Sequence, residues 1–193
     1  MVALIGGLVL AYFAGTFPTA LIIGRRVGTD PTRAGSGNPG ASNVYRLSGR
    51  RAGVIVGLID VLKGAIPTAI ALAVAGRPEA HAVWLAAVIG HVWPITRKFR
   101  GGKGMATAGG GGIVLGPFVG IACALLFFGI VKFGRVAALG SLSIAVAYPI
   151  VSAIVGRPGW EIAVSSGVAA ILFIRHQSNI RRMLRPEEST HTG

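Results

Sequence analysis

The chain has 193 residues, one domain's worth, yet 52% of them are hydrophobic and only 13% charged, against about 25% charged in an ordinary soluble domain. With a mean hydropathy of +0.68, that composition excludes both a water-soluble globule and a disordered chain. The net charge of +13 comes from 19 Lys and Arg against 6 Asp and Glu. Basic nucleic-acid-binding domains are not this apolar, so the balance points to a membrane protein with basic loops, not to a nucleic-acid partner. Cys123 is the only cysteine, which leaves no intramolecular disulfide and no cysteine-based metal cluster.

In chain order, residues 1–24 carry no charge, and neither do 80–96, 104–131 or 136–156; residues 52–76 carry only Asp60 and Lys63, and 158–174 only Glu161. A helix needs about 20 apolar residues to cross the hydrocarbon, so a first count gives six spans. The opening run lacks the basic start of a signal peptide, because Arg25 and Arg26 follow it, and it reads as a retained span. The fourth run contains Gly109 to Gly112 and then Gly116-Pro117, where a missing N–H and a flexible backbone invite a break. A turn there makes seven segments, two of them short. It also places sixteen Lys and Arg on one side of the membrane against two on the other, the bias that cytoplasmic loops carry. The expected fold is therefore an all-α integral membrane bundle of seven transmembrane helices, two of them short around Gly116-Pro117. Its amino end lies outside and its carboxyl end is cytoplasmic. Residues 1–193 form a single domain without a transporter-type internal repeat.

The unusual loops all fall on the cytoplasmic side of that topology. The first, Gly35-Ser36-Gly37-Asn38-Pro39-Gly40-Ala41-Ser42-Asn43 followed by Arg46, has three glycines in six residues. A helix starting near Pro39 or Gly40 would aim free N–H groups at the same point, which is chemistry that binds anions. An ordinary turn between helices is the plain alternative. The second runs from Gly90-His91-Val92-Trp93-Pro94 through Arg97-Lys98-Phe99-Arg100-Gly101-Gly102-Lys103-Gly104-Met105-Ala106-Thr107. It resembles a phosphate loop in kind but is not a Walker A sequence, since Gly104 stands where Ser or Thr belongs. Anchoring on the cytoplasmic side explains Arg97, Lys98 and Arg100 but not three glycines around Lys103. The third, Arg175-His176-Gln177-Ser178-Asn179-Ile180-Arg181-Arg182, puts His176, Asn179 and Arg182 on one helical face. Arg181 and Arg185 read as contacts to anionic headgroups. Within the second span Asp60 and Lys63, three apart, are placed to pair, and charges inside a bilayer face a partner or a cavity. They read as scaffold or site-lining residues, as does His91, while His81 is assigned nothing.

These three clusters resemble the integral-membrane acyl-phosphate:glycerol-3-phosphate acyltransferases, the PlsY family. The match is specific over Gly35 to Asn43 and over Gly90 to Thr107, and looser over His176 to Leu184, where Gln177 and, earlier, Arg100 depart from the usual Arg and Lys. The resemblance covers nearly the whole chain. It implies transfer of a fatty acyl group from acyl phosphate to the 1-hydroxyl of sn-glycerol 3-phosphate, giving lysophosphatidic acid and phosphate in phospholipid biosynthesis. It also implies no cofactor and no metal, an active site facing the cytoplasm in the inner cell membrane, and a functional link to an acyl-phosphate-producing enzyme.

Combined with the residues, the resemblance names Ser36, Lys103 and His176 as catalytic. Gly37, Asn38, Asn43, Arg46, Gly101, Gly102, Gly104, Thr107 and Asn179 are named as substrate-binding. The first loop would hold the acyl phosphate and stabilise the developing oxyanion; Arg46, Lys103, His176 and Asn179 would hold the glycerol phosphate and aim its hydroxyl. A donor phosphate oxygen is placed first as proton acceptor and His176 second. A membrane transporter for an organic phosphate is the rival reading; it would use the same anion sites but predicts an inverted repeat.

Overall fold

The computed structural model describes residues 1–184; Arg185, counted above with the basic tail, lies outside them. The regular elements among those residues are all helices, with no strand. The uncharged opening run is α1 (Val2–Thr16) and α2 (Thr19–Arg26), split at Phe17-Pro18. Its lack of charge predicts one unbroken span, which the structure interrupts. The break follows from the missing N–H of Pro18. Then come α3 (Ala41–Val74), α4 (Arg77–Val92), a 3₁₀ turn (Ile95–Arg97), α5 (Met105–Leu115) and α6 (Pro117–Gly134). The chain continues through α7 (Ala137–Ile154), α8 (Gly159–Arg175) and α9 (Gln177–Leu184).

By length and composition, four stretches can cross a membrane: Val2–Arg26, Ala41–Val74, Pro117–Gly134 and Ala137–Ile154. Their outward faces carry large apolar side chains, with Leu10, Leu58, Ile70, Phe118, Leu125, Phe128 and Ile154 all exposed. Such a surface suits lipid and not water. The break expected at Gly116-Pro117 is present, with Pro117 opening α6. Only α5 is short, however. At 1.5 Å per residue its 11 residues reach about half the ~30 Å of a hydrocarbon core. α6 has 18 residues, because its apolar run passes Lys132 and continues to Gly134, and a lysine near a helix end can extend its ammonium to the interface.

Helices this apolar cannot be held together by excluding water from one another, so backbones approach closely at small residues. A Cβ on Gly64 of α3 would overlap the Thr107 carbonyl of α5, and one on Gly110 of α5 would overlap the Val61 carbonyl of α3. The buried core gathers Trp84, Ala87, Val88 and Val92 of α4 with Leu115, Val168 and Leu172. Trp84 Nε1–H donates to the Ala108 carbonyl at 3.0 Å. Where α5 ends, Arg77 donates to the Leu115 carbonyl at 3.1 Å and to both oxygens of the buried Glu161 at 2.6 and 2.7 Å. One arginine thereby caps the short helix and joins α4 to α8 at the end opposite the glycine loops.

Candidate active site

α3 begins where the sequence placed a helix start, with Gly40 as its N-cap. Gly49 (φ +85°, ψ 173°) interrupts it, so residues 41–48 form a short helix set apart from the long one behind. The left-handed value of φ there suits a residue without a Cβ. Asn43 faces back into the preceding loop and is buried. Its Oδ1 accepts the Ser36 N–H at 3.0 Å, and its Nδ2 donates to the carbonyls of Pro31 and Ala34 at 2.9 and 3.1 Å. Through these three bonds the Asn43 amide shapes the loop around Ser36. Ser36 and Gly37 are exposed and Asn38 half-buried. Both Gly35 (φ +60°) and Gly37 (φ +69°) are left-handed, which curls the loop around Ser36. Arg46, one turn beyond Asn43, is exposed.

The second loop rests on α4. Tyr12 of α1 accepts the Ile95 N–H at 2.9 Å and donates to the Trp93 carbonyl at 2.8 Å. This pins the chain as it leaves α4. Tyr12 also ends an open apolar groove of about 490 Å³ between α1 and α4, lined by Leu8, Phe13, Leu85 and Ile89. Farther along, the Gly102 N–H donates to the His91 carbonyl at 3.1 Å. A Cβ on Gly102 would overlap the His91 ring, and one on Gly101 the His91 and Val92 carbonyls. Both glycines are there because the loop lies flat on a helix end. Gly104 (φ +83°) then caps α5.

Beneath the loop lies a buried polar network. Lys63 Nζ is 2.6 Å from Asp60 Oδ1 and donates to the Phe17 carbonyl at 2.6 Å, on the α1–α2 break. Thr107, fully buried, donates to the Asp60 carbonyl at 3.0 Å, and its hydroxyl is 3.2 Å from His91 Nδ1. The Thr107 hydroxyl thus ties α5 to α3. Asp60, Lys63 and His91 support the loops from below.

The third cluster closes over Lys103. The Lys103 ammonium donates to Asn179 Oδ1 of α9. His176, between α8 and α9, is buried with Nδ1 2.7 Å from the Leu172 carbonyl. In the neutral ring Nδ1 therefore carries the proton and Nε2 is left as an acceptor. Burial, reinforced by the positive charges of Arg182, Arg46 and Arg175, pushes Lys103 down to about 8. The His176 imidazole is likewise held below its ordinary value, mainly by burial, with Lys103 and Arg175 adding to it. Four cations, Lys103, Arg46, Arg175 and Arg182, thus act on one spot, and no carboxylate among the described residues counters them there. Such a spot attracts a multiply charged anion. Arg175, which carries no individual role on sequence grounds, donates to the carbonyls of Gly101 and Gly102 at 2.9 and 3.2 Å. No motif spacing signals a contact of that kind. No group of three or more metal-ligating side chains occurs among the described residues.

The family model described as "Glycerol-3-phosphate acyltransferase" matches residues 5–186. This chain belongs to that family. The glycerol-3-phosphate acyltransferase of Rubrobacter xylanophilus is 38% identical over 186 residues, covering 95% of this chain and 93% of its own. That of Geobacter sulfurreducens is 40% identical over 181 residues, covering 93% of each. The crystal structure of PlsY (YgiH), an integral membrane glycerol 3-phosphate acyltransferase, in its glycerol 3-phosphate form superposes with a TM-score of 0.91. The two chains are 33% identical, with 94% of this chain and 92% of that one covered. The lysophosphatidic acid form of the same protein gives 0.89. The chain is accordingly an acyltransferase of the PlsY family, integral to the membrane, acting in phospholipid biosynthesis.

Proposed function

We propose that the chain, acting as a single domain over residues 1–193, transfers a fatty acyl group from acyl phosphate to the 1-hydroxyl of sn-glycerol 3-phosphate. The products are lysophosphatidic acid and inorganic phosphate. The observation that carries this reading is the meeting of Lys103, Arg46, Arg175 and Arg182, with no countering carboxylate among the described residues, beside His176 and Asn179. Two phosphorylated reactants need such a field, and a solvated basic face would not bury a lysine within it.

In this reading Ser36, Gly37 and Asn38 hold the acyl phosphate, with loop N–H groups stabilising the oxyanion as the acyl carbon becomes tetrahedral. Arg46, Lys103 and Asn179 hold the glycerol phosphate, and Gly101, Gly102 and Gly104 give the backbone its close approach to that phosphate. His176 Nε2, free to accept, orients the attacking hydroxyl. The hydroxyl oxygen forms the new ester bond, the acyl–oxygen bond to phosphate breaks, and the hydroxyl proton leaves on the departing phosphate. Acyl phosphate carries a good leaving group already, so positioning and electrostatics suffice. The acyl tail lies against lipid, and the α1–α4 groove ending at Tyr12 suits it. The chain runs through the inner cell membrane in seven segments, the half-length α5 among them, amino end outside, with the site facing the cytoplasm where an acyl-phosphate-producing enzyme supplies the donor.

The donor is tested by incubating the purified protein in lipid vesicles with radiolabelled glycerol 3-phosphate and palmitoyl phosphate, palmitoyl-CoA or palmitoyl-acyl carrier protein in turn. Labelled lysophosphatidic acid is expected with palmitoyl phosphate alone. Equal product from a thioester would overturn the donor assignment, and transport of label into the vesicles without product would favour a carrier.

A further inference from the structure

Glycine-rich loops bind phosphate only if their N–H groups stay aimed, and glycine is the residue least able to hold its own backbone still. The second loop contains Gly101, Gly102 and Gly104 in four residues. Its first peptide, Gly101–Gly102, is gripped on both sides: the N–H by the His91 carbonyl at 3.1 Å, and the carbonyl by Arg175 Nη2 at 2.9 Å. The next, Gly102–Lys103, is gripped on its carbonyl by Arg175 Nε at 3.2 Å. In a trans peptide the N–H points opposite the carbonyl. The guanidinium therefore directs the Lys103 N–H away from itself, and that N–H, like those of Gly104 and Met105, meets no acceptor among the described residues. Nε and Nη2 lie along one edge of a planar fork, a two-point grip that an ammonium cannot reproduce. Arg175 immediately precedes His176 at the end of α8, so the loop and the imidazole are set from the same helix end. No ion pair to Arg175 is present among the described residues.

We infer that Arg175 is a positioning residue for the acyl transfer, its guanidinium bridging the Gly101 and Gly102 carbonyls so that the following N–H groups face the phosphate of glycerol 3-phosphate. The role rests on the function proposed above for its substrate, but the clamp itself does not.

Two readouts separate the clamp from that function. Amide hydrogen exchange of the ligand-free protein in nanodiscs should rise at Gly102, whose N–H is held by the His91 carbonyl, in Arg175→Lys, which keeps the charge and loses the fork. Steady-state kinetics should show the KM for glycerol 3-phosphate raised about tenfold, the cost of one misaimed contact to a charged group. The KM for palmitoyl phosphate should move less than twofold. In Arg175→Ala, millimolar ethylguanidinium should restore activity, and should not restore Lys103→Ala. Unchanged exchange in Arg175→Lys, or both KM values rising together, would overturn the assignment. Faster exchange in a protein whose parent makes no lysophosphatidic acid would keep the clamp and remove the substrate. If Arg175→Ala does not fold, Arg175→Lys carries the test alone.

Discussion

Replacing Lys63 by Met separates the buried network from the chemistry above it. Lys63 and Asp60 are 2.6 Å apart, their side chains 7% and 4% exposed. Removing the ammonium leaves a carboxylate buried with no compensating charge. Breaking a buried pair in this way costs about 3–5 kcal/mol. The Phe17 carbonyl also loses its contact to Lys63, but it still accepts the Thr19 N–H at 2.9 Å, so that adds about 1 kcal/mol at most. For a chain of this size the unfolding midpoint should fall on the order of 10 °C. Asp60→Asn should be comparably destabilised, with the ammonium now stranded. The double variant Asp60→Asn/Lys63→Met buries no net charge and should return to within about 2 kcal/mol of the parent. Thermal unfolding in detergent micelles, followed by tryptophan fluorescence, reads all four proteins. The reasoning is refuted if Lys63→Met unfolds within about 2 °C of the parent, or if the double variant loses as much as the two single ones added together.

Lys103→Ala and His176→Ala should each lose most acyl transfer with the fold retained, whereas Arg181→Ala, exposed on α9, should stay within about twofold of the parent; steady-state rates beside melting curves decide. Gly102→Ala should lose stability by about 1–3 kcal/mol and raise the KM for glycerol 3-phosphate, since its Cβ displaces the buried His91 ring. Because Lys103 is held at about 8, its charge is lost as pH rises through that value, and kcat/KM for glycerol 3-phosphate should fall above about pH 8. Arg182 is one of the cations that lower it, so Arg182→Ala should move the falling limb to higher pH; a limb that stays in place would contradict that electrostatic origin.

Much of this was legible from residue types whose physical meaning is local. Gly116-Pro117 breaks a helix wherever it falls, and Asp60 and Lys63 at a spacing of three are adjacent on any helix. The glycine loops announced backbone that must come close to something. What could not be read was direction. The amides of Asn43 and Asn179 look alike in sequence, yet one turns inward to hold three loop groups while the other meets Lys103. Thr107, in the first turn of α5, faces α3, where Gly64 packs against its carbonyl. Pro18 was visible but was hidden by an uncharged run long enough for a single span. α6 outruns its uncharged stretch because a lysine near a helix end does not stop the helix. Arg175 resembled any cation at a membrane surface until its fork was placed on two carbonyls.

The central claim is tested most directly by measuring phosphate release and lysophosphatidic acid together. The purified protein in lipid is supplied with palmitoyl phosphate and glycerol 3-phosphate, without CoA or added metal. One phosphate released per lysophosphatidic acid formed, with neither product when either substrate is omitted, is the predicted result. Phosphate release that does not depend on glycerol 3-phosphate, or no release while glycerol 3-phosphate still binds, would contradict it.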